Sequence, residues 1–346
     1  MSAEDFLYDN HVKYLRNHLN CLPHHYSGQD QNRMTLLYFV VCGLDILGAL
    51  NEVIPQNEQK DIIEWIYAQQ VCATGTENLQ NCGFRGGSFA GTCFQNNQNH
   101  IDKNDFGHLA MTYTALAVLR ILGDDYSRVD KKGIIGALKH LQQDDGCFIA
   151  TAGGSERDIR FLFCACATSC FLNDFSGINI DKAYQYIISS RGYDQAFSHG
   201  PYLESHGGST YCAVSALALM DRLQDLPNKE ELTEWLLKRQ LSGFQGRPNK
   251  SVDTCYSFWV GASICNLHAV EYIDAEATIH FTLACQCKKG TAGGICKETN
   301  TYPDILHTFM ALSGLSLVGF NKSQIAPIVP SLGITQRAAQ GLVIPK

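Results

Sequence analysis

Long hydrophobic runs are missing from this sequence. No window approaches the roughly 18 uninterrupted apolar residues that a membrane span requires, so we expect no membrane-spanning helix. The first ten residues, MSAEDFLYDN, are acidic and lack the basic region and apolar core of a secretory signal peptide. An excess of positive charge is also missing. The formal net charge of -7 argues against non-specific nucleic-acid binding, which needs a basic face.

Linker-like composition is equally scarce. No long Pro-, Ser- or Gly-rich stretch divides the 346 residues, and 45% of them are hydrophobic, so we expect residues 1–346 to form one large domain. The fifteen cysteines, in a chain without a signal peptide, are typical of reduced thiols rather than of a disulfide framework. The sequence therefore predicts a cytoplasmic protein.

A repeat runs through the chain. Turns that combine glycine with an aromatic or apolar residue recur at Gly83, Gly146, Gly192, Gly243 and Gly293, at spacings of 63, 46, 51 and 50 residues by subtraction. Each turn precedes an apolar segment rich in small residues, such as STYCAVSALALM, and follows a more amphipathic one, such as ELTEWLLKRQ. A fixed repeat of this kind is typical of an array of supersecondary units.

The two kinds of segment predict two layers of helices. A helix that is apolar nearly all round must be buried, whereas a one-sided helix can face solvent. The repeat therefore predicts an all-α fold in which inner and outer helices alternate around a ring. An open superhelical solenoid obeys the same repeat logic, but the small residues of the inner segments favour a closed α/α toroid with a narrow interior. Strand signals are few.

Three metal-binding residue types fall at equivalent repeat positions. If the repeats form a ring, the first residues of all inner helices line one mouth. Asp253 and Cys255 lie in SVDTCYSF, and His307 lies in PDILHTFM of the next repeat. With fifteen cysteines an isolated Asp-x-Cys pair means little, and a lone Cys on an apolar helix is ordinarily core. Three ligands at one mouth would leave a tetrahedral zinc ion one open position, as in catalytic sites.

Other polar side chains cluster at the same turns. Single Lys and Arg residues in loops are ordinarily solvated surface charge. Several of them at one mouth, beside helix N-termini, would form an anion site suited to phosphate or diphosphate. The residues concerned are His206, Arg247, Lys250, Tyr256 and Lys297.

Aromatic residues follow on the inner segments. Each alone is more simply explained as core packing, but together they could line a cavity for a long hydrocarbon; they are Phe161, Phe163, Tyr256, Phe258 and Trp259. A metal with an open position, an anion site and an apolar cavity indicate one reaction. A zinc-bound thiolate from a substrate would attack the carbon that carries a diphosphate leaving group.

Four stretches resemble one known family. They are GHLAMTYTALAVL, LESHGGSTYC, GRPNKSVDTCYSFWVGA and PDILH, and the similarity, which runs over nearly the whole chain, is to the β subunits of protein prenyltransferases. The resemblance implies an α/α barrel of six inner and six outer helices and an obligate α subunit shared with farnesyltransferase. It implies zinc at Asp253, Cys255 and His307. It also implies diphosphate contacts from His206, Arg247, Lys250 and Tyr256.

Two positions favour the type I geranylgeranyl branch of that family. Thr35 stands where farnesyl enzymes carry a bulky Trp, which leaves room for the twenty-carbon donor, geranylgeranyl diphosphate. Lys297 stands where they carry an Asp that recruits magnesium; the lysine would act in catalysis as a substitute point charge, so magnesium should not be required. The stretch KETNTY, however, lacks the Trp-Pro expected after the lysine, and the third turn lacks a glycine.

The resemblance also assigns the organic substrates. Acceptors would be proteins that end in Cys-aliphatic-aliphatic-X (CaaX), with Leu preferred at X, such as Rho, Rac and Rap-type small GTPases. The isoprenoid would contact Thr35, Arg160, Phe163 and Trp259. The peptide pocket would be bordered by His108, Ala110, Phe161 and Leu306.

Other functions remain as alternatives. Within the family these are a farnesyltransferase and a Rab-type geranylgeranyltransferase, although Lys297 argues against the latter. A terpenoid cyclase would share the toroid, but neither Asp-x-Asp-Asp nor Asp-Asp-x-x-Asp occurs in the sequence. A non-enzymatic binding toroid would show no convergence of ligands at one mouth.

Overall fold

The computed structural model describes residues 5–88, 105–288 and 293–345. Thirteen α-helices account for most of the regular structure in these ranges, and the four strands have two residues each. The predicted all-α class is therefore confirmed. None of the described helices is both long and apolar enough to cross a lipid bilayer.

Within the described ranges, six mostly buried helices form the inner layer. They are α2 (Arg33–Ile46), α5 (Leu109–Ile121), α7 (Ile159–Leu172), α9 (Gly207–Leu219), α11 (Tyr256–Asn266) and α13 (Ile305–Leu317). Each packs against the next in chain order, and α13 packs back against α2, so the layer closes on itself. This closure excludes the open solenoid and confirms the toroid.

Six more of the described helices alternate with the inner ones along the chain and are less buried. They are α1 (Tyr8–Asn20), α4 (Gln56–Tyr67), α6 (Lys131–Leu141), α8 (Ile180–Ser189), α10 (Lys229–Leu237) and α12 (Ala275–Ala284). In α8 only Ala183, Tyr186 and Ile187 are buried, whereas in α7 every residue except Arg160 is buried. The contrast matches the two layers predicted from composition. A short helix, α3 (Leu50–Val53), lies between α2 and α4.

Polar side chains cap four of the six inner helices described, all at the same end of the toroid. The side chains of His108, Asp158, His206 and Asp304 accept a backbone N–H in the first turn of α5, α7, α9 and α13. Each satisfies one of the donors that a helix N-terminus leaves without an internal partner. The mouth is therefore lined with polar groups because the inner helices begin there.

The glycines of the repeat turns are required for two different reasons. Gly146 has a positive φ of +91°, a conformation that L side chains rarely adopt. Gly243 is needed for space, because a Cβ there would lie 2.4 Å from the ring of Phe281. In the third turn, where a glycine is missing, Gln195 adopts a positive φ of +74°.

The chain beyond α13 closes the other end of the barrel. Strands β3 (Ile328–Val329) and β4 (Ile334–Thr335) form a hairpin, as do β1 (Gln70–Val71) and β2 (Gly83–Phe84) near the first turn. The hydroxyls of Tyr38 and Tyr113 donate to the carbonyls of Gly333 and Leu332, at 2.7 and 2.8 Å. No role for this segment follows from the sequence analysis. The structure makes it the floor of the barrel interior.

Candidate metal and anion site

Asp253, Cys255 and His307 converge at the open mouth. Their ligand atoms lie within 4.8 Å of one another, and Nε2 of His307 is 3.3 Å from Oδ1 of Asp253. Asp253 and Cys255 are buried and His307 is half-buried. The backbone positions two of them, because the N–H of Cys255 donates to Oδ1 of Asp253 at 2.9 Å as α11 begins. The sequence thus correctly predicted which side chains come together here.

A fourth residue, Asp304, orients the histidine. Nδ1 of His307 lies 2.6 Å from Oδ2 of Asp304, and the backbone N–H of His307 donates to Oδ1 of the same carboxylate at 2.8 Å. Nδ1 is therefore engaged, and Nε2 is the nitrogen that faces Asp253 and Cys255. A ligating histidine whose other nitrogen is held by a carboxylate is a common arrangement in metal sites.

Burial and mutual contacts shift the pKa values of all three groups of the triad. Burial disfavours the charged form of His307, but hydrogen bonds to Asp253 and Asp304 outweigh it and raise its pKa to about 9. Burial, and then the charge of Asp253, raise the pKa of the Cys255 thiol. For Asp253 burial acts in the opposite sense, yet the hydrogen bonds to His307 and Cys255 lower its pKa. An S, N and O donor set of this kind suits zinc.

Lys297 connects the triad to a neighbouring cleft. Its Nζ is 3.8 Å from Oδ2 of Asp253, and its backbone carbonyl accepts the N–H of Thr254 at 2.9 Å. The hydroxyl of Thr254 also donates to the carbonyl of Cys296. Thr254 lies between Asp253 and Cys255 in the sequence. These two hydrogen bonds therefore hold the turn that contains Lys297 against the turn that contains Asp253 and Cys255.

The cleft beside the triad is rich in cations. It has a volume of about 510 Å³ and is lined by His206, Gly246, Arg247, Lys250, Ser251, Asp253, Tyr256, Lys297 and Glu298. All five residues predicted to hold an anion are in this set. The structure brings them together from three different turns of the toroid. Glu298, which the sequence analysis did not assign, adds a carboxylate beside Lys297.

His206 is held as a neutral hydrogen-bond donor. Its Nδ1 accepts the N–H of Gly208 at 3.0 Å, which leaves the proton on Nε2, 3.0 Å from the hydroxyl of Tyr256. Burial, and then the nearby His199 and Arg247, lower the pKa of His206 to about 4. The imidazole can therefore offer an N–H to an anion at neutral pH without carrying a charge.

The identity of the fold follows from comparison with known proteins. The prenyltransferase alpha-alpha toroid domain matches residues 6–334 of the chain. The chain belongs to the prenyltransferase family. The predicted resemblance is thereby confirmed, and individual relatives narrow it further.

Two relatives are geranylgeranyl transferase type-1 beta subunits. The geranylgeranyl transferase type-1 subunit beta of Dictyostelium discoideum is 41% identical over 339 residues, covering 95% of this chain and 95% of that protein. The subunit of the same description from Arabidopsis thaliana is 36% identical over 358 residues, covering 98% and 92%. The protein farnesyltransferase subunit beta of Schizosaccharomyces pombe is 29% identical over 342 residues, covering 92% and 80%.

A solved structure matches this prenyltransferase along nearly its full length. It is the Candida albicans protein geranylgeranyltransferase-I complexed with GGPP, with a TM-score of 0.86, 26% identity and coverage of 97% of both chains. The agreement extends the family assignment from sequence to architecture.

The interior of this prenyltransferase has an aromatic wall below the cleft. The ring of Phe163 lies 5.4 Å from that of Tyr113 and 5.3 Å from that of Tyr211, and Tyr211 lies 4.9 Å from Trp259. Phe163 and Tyr211 are buried, whereas Trp259 is half-buried. Two predicted isoprenoid residues, Phe163 and Trp259, are thus joined through Tyr211, a residue that the sequence analysis did not single out.

The other two predicted isoprenoid residues, Thr35 and Arg160, differ in burial. Thr35 is half-buried on α2, and its hydroxyl lies 3.2 Å from the sulfur of Met111. Arg160 is exposed and paired with Asp158 at 2.6 Å and Glu156 at 3.1 Å. Its charge is therefore already balanced by two carboxylates.

The predicted peptide residues fall into two places. The rings of His108 and Phe161 meet edge to face with centroids 5.8 Å apart, and Nδ1 of His108 accepts the N–H of Ala110 at 3.2 Å. Leu306 stands elsewhere, half-buried beside His307 on α13, which packs mainly against α11 and α2. The structure groups three of the four.

Asp304 is the clearest functional residue that the sequence analysis missed. A signal was present, since Asp followed three residues later by His in PDILH places the carboxylate at the helix cap and the histidine in the first turn. Glu204, which pairs with Arg247 from another repeat, had no such local signal.

Proposed function

We propose that the chain is the catalytic β subunit of a heterodimeric, zinc-dependent protein geranylgeranyltransferase type I. It transfers a geranylgeranyl group from geranylgeranyl diphosphate to the cysteine of proteins that end in CaaX, with X mainly Leu, such as Rho, Rac and Rap-type GTPases. The proposal rests on one observation: the metal-ligand triad lies beside the cation cleft. Lys297 of the cleft is paired there with Asp253 of the triad.

Asp253, Cys255 and His307 would hold the zinc ion. Zinc bound there would lower the pKa of the acceptor cysteine, so that a thiolate nucleophile is present at neutral pH. Asp304 keeps Nε2 of His307 directed at the site. The side chains of this chain thus define a polar pocket whose open side faces the cleft.

The cleft would bind the diphosphate and stabilise it as it leaves. Arg247, Lys250 and Lys297 supply positive charge, and His206 and Tyr256 supply neutral donors. Negative charge on the leaving oxygen grows as the carbon–oxygen bond breaks, and fixed donors stabilise that charge most in the transition state. We propose that Lys297 takes the place of a magnesium ion, so that none is required.

The isoprenoid would lie against the aromatic wall. This wall stands above the β3–β4 hairpin that forms the floor of the barrel interior. The half-buried Thr35 and Trp259 and the buried Phe163 would contact the isoprenoid, with the exposed Arg160 at the rim. A small residue at Thr35 supports a twenty-carbon donor over a fifteen-carbon one. His108, Ala110 and Phe161 would contact the acceptor peptide from one side, and Leu306 from the other.

The proposal includes a partner and a compartment. The relatives described as type-1 beta subunits support an obligate α subunit, which we propose is the one shared with farnesyltransferase. The fourteen described cysteines are all free thiols, which supports a reducing cytoplasmic location. We also propose that residues 1–346 act as one domain.

The test is an assay of the heterodimer formed with an α subunit. Geranylgeranyl and farnesyl diphosphates are compared as donors for peptides ending in Leu or Ser, with and without magnesium, and bound zinc is measured. The proposal predicts geranylgeranyl transfer to the Leu peptide without magnesium, at about one zinc per heterodimer. A farnesyl preference or a magnesium requirement would contradict the type I assignment. Absence of zinc would contradict the mechanism.

A further inference from the structure

Glu204 places a carboxylate at the rim of the cation cleft. Its Oε2 pairs with Nη1 of Arg247, although the two residues are 43 positions apart and belong to different turns. The Arg247 side chain is 35% exposed and that of Glu204 is 63% exposed, so the carboxylate approaches the guanidinium from the solvent side.

The side chain of Glu204 is held by one ion pair, whereas the backbone that follows it is held by hydrogen bonds. Within the described ranges, Arg247 is the only residue to which the Glu204 carboxylate is bonded. The next residue, Ser205, is buried and donates its hydroxyl to Asp194, and the N–H of His206 donates to the carbonyl of Phe197. Glu204 can therefore leave or regain Arg247 by side-chain rotation, without movement of the loop.

The other carboxylate–cation pair of the cleft is built differently. Asp253, the partner of Lys297, is buried, accepts the N–H of Cys255 and lies in the metal-ligand triad. It is not available to exchange partners with an incoming anion. Of these two pairs, only the one between Glu204 and Arg247 joins a cleft cation to a rotatable, solvent-exposed carboxylate.

We propose that Glu204 is a positioning residue that competes with the diphosphate for Arg247. A guanidinium binds carboxylate and phosphate oxygens with the same kind of N–H group, and two anions at one guanidinium repel each other, so the carboxylate and the diphosphate compete. Glu204 holds the guanidinium at the cleft edge until the donor arrives, and it takes Arg247 back as inorganic diphosphate departs. This inference rests on the proposed diphosphate site.

The test measures binding of inorganic pyrophosphate to the heterodimer by titration calorimetry. Glu204→Gln keeps the shape of the side chain but removes its charge. Because exposed ion pairs are weak, we expect pyrophosphate to bind about two- to fivefold more tightly to this variant. An unchanged or weaker affinity overturns the inference, since a carboxylate with a merely structural role would not oppose the anion.

A double-variant cycle separates competition from the general effect of removing a negative charge. In a heterodimer that carries Arg247→Gln, adding Glu204→Gln should leave pyrophosphate affinity unchanged. A similar gain in both backgrounds overturns the inference. Glu234→Gln serves as the matched control, because Glu234 pairs with Lys238 at 2.6 Å on the exposed face of α10.

The same titration separates this inference from the proposed function. If the wild-type heterodimer fails to bind pyrophosphate, the diphosphate site is wrong and the inference falls with it. If the wild-type protein binds pyrophosphate and Arg247→Gln weakens binding, but Glu204→Gln changes nothing, only the role of Glu204 is overturned.

Discussion

One carboxylate, Asp304, both begins a helix and orients a ligand. It accepts the backbone N–H of His307 on one oxygen and lies 2.6 Å from Nδ1 of the same residue on the other. The cap fixes where α13 starts, and the start of α13 fixes where the imidazole points. The same carboxylate therefore caps the helix and sets the orientation of the histidine.

Replacing Asp304 by Ala should weaken the metal site far more than the fold. Loss of a cap costs about 1 kcal/mol of stability, whereas loss of the carboxylate behind a ligating histidine lowers metal affinity by about 10- to 100-fold. Competition with a zinc chelator measures the affinity. Asp274→Ala is the control, because Asp274 caps α12 through the N–H of Ala277 and lies outside the triad. Equal zinc affinities in the two variants would contradict the role given to Asp304.

Cys255→Ala should abolish tight zinc binding and prenyl transfer while leaving the toroid folded. The triad would keep one carboxylate and one imidazole, too few for a structural or catalytic zinc site. Metal analysis and circular dichroism of the purified heterodimer check both parts. Cys265→Ala offers a matched thiol on α11, the helix that follows Cys255, and lies outside the triad. Full zinc content in Cys255→Ala would show that the ion sits elsewhere.

His11 should contribute to a loss of stability as the pH is lowered. This imidazole is fully buried; its Nδ1 accepts the N–H of Gly294 at 3.1 Å, and its Nε2 lies 2.9 Å from Oε1 of Gln286. Burial lowers its pKa to about 4, against a smaller opposing effect of the Gln286 bond. Below its ordinary pKa of 6.5 the unfolded chain binds the proton more readily than the folded one.

The contribution of His11 to the free energy of unfolding is therefore fully present above about pH 6.5. It is lost as the pH falls toward 4, and the loss is on the order of 3 kcal/mol. Urea unfolding at a series of pH values measures it. His11→Gln should reduce the slope in this window, while His140→Gln, at an exposed position, should not. An unchanged slope in His11→Gln would rule out this residue as the cause.

Arg337→Ala should loosen the floor of the barrel. Arg337 donates to Oδ1 of the buried Asp45 at 2.6 Å and to the carbonyl of Ile121 at 2.9 Å, which ties the chain terminus to α2 and α5. Removing it leaves a buried carboxylate short of a partner, at a cost of about 1–3 kcal/mol. Thermal unfolding checks this, with Lys238→Ala as an exposed ion-pair control. Equal stability of the two variants would show that the segment is held in another way.

Much of the architecture was readable from the sequence, because the repeat imposes it. Apolar segments with small residues became the inner helices, and the equivalence of repeat positions placed Asp253, Cys255 and His307 at one mouth. The cap residues follow from the same logic, since a ring of parallel inner helices puts every N-terminus at one end.

The rest depended on contacts between distant parts of the chain. No local pattern pairs Glu204 with Arg247 or sets the backbone of Leu332 against Tyr113, because these contacts exist only once the ring has closed. The need for glycine at Gly243 comes from the ring of Phe281 in a later helix. For such long-range contacts, a single sequence gives the residue types but does not show which residues lie next to each other in the folded chain.

We propose above all that a substrate thiolate is activated at the Asp253, Cys255 and His307 triad. The most direct measurement replaces the zinc of the heterodimer by cobalt and records the thiolate-to-cobalt charge-transfer absorption as a peptide ending in CaaX is added. We expect the absorption to rise with a Cys peptide and not with its Ser analogue, from a baseline set by Cys255. No change with the Cys peptide, in an enzyme that still transfers the prenyl group, would contradict activation of the thiol by the metal.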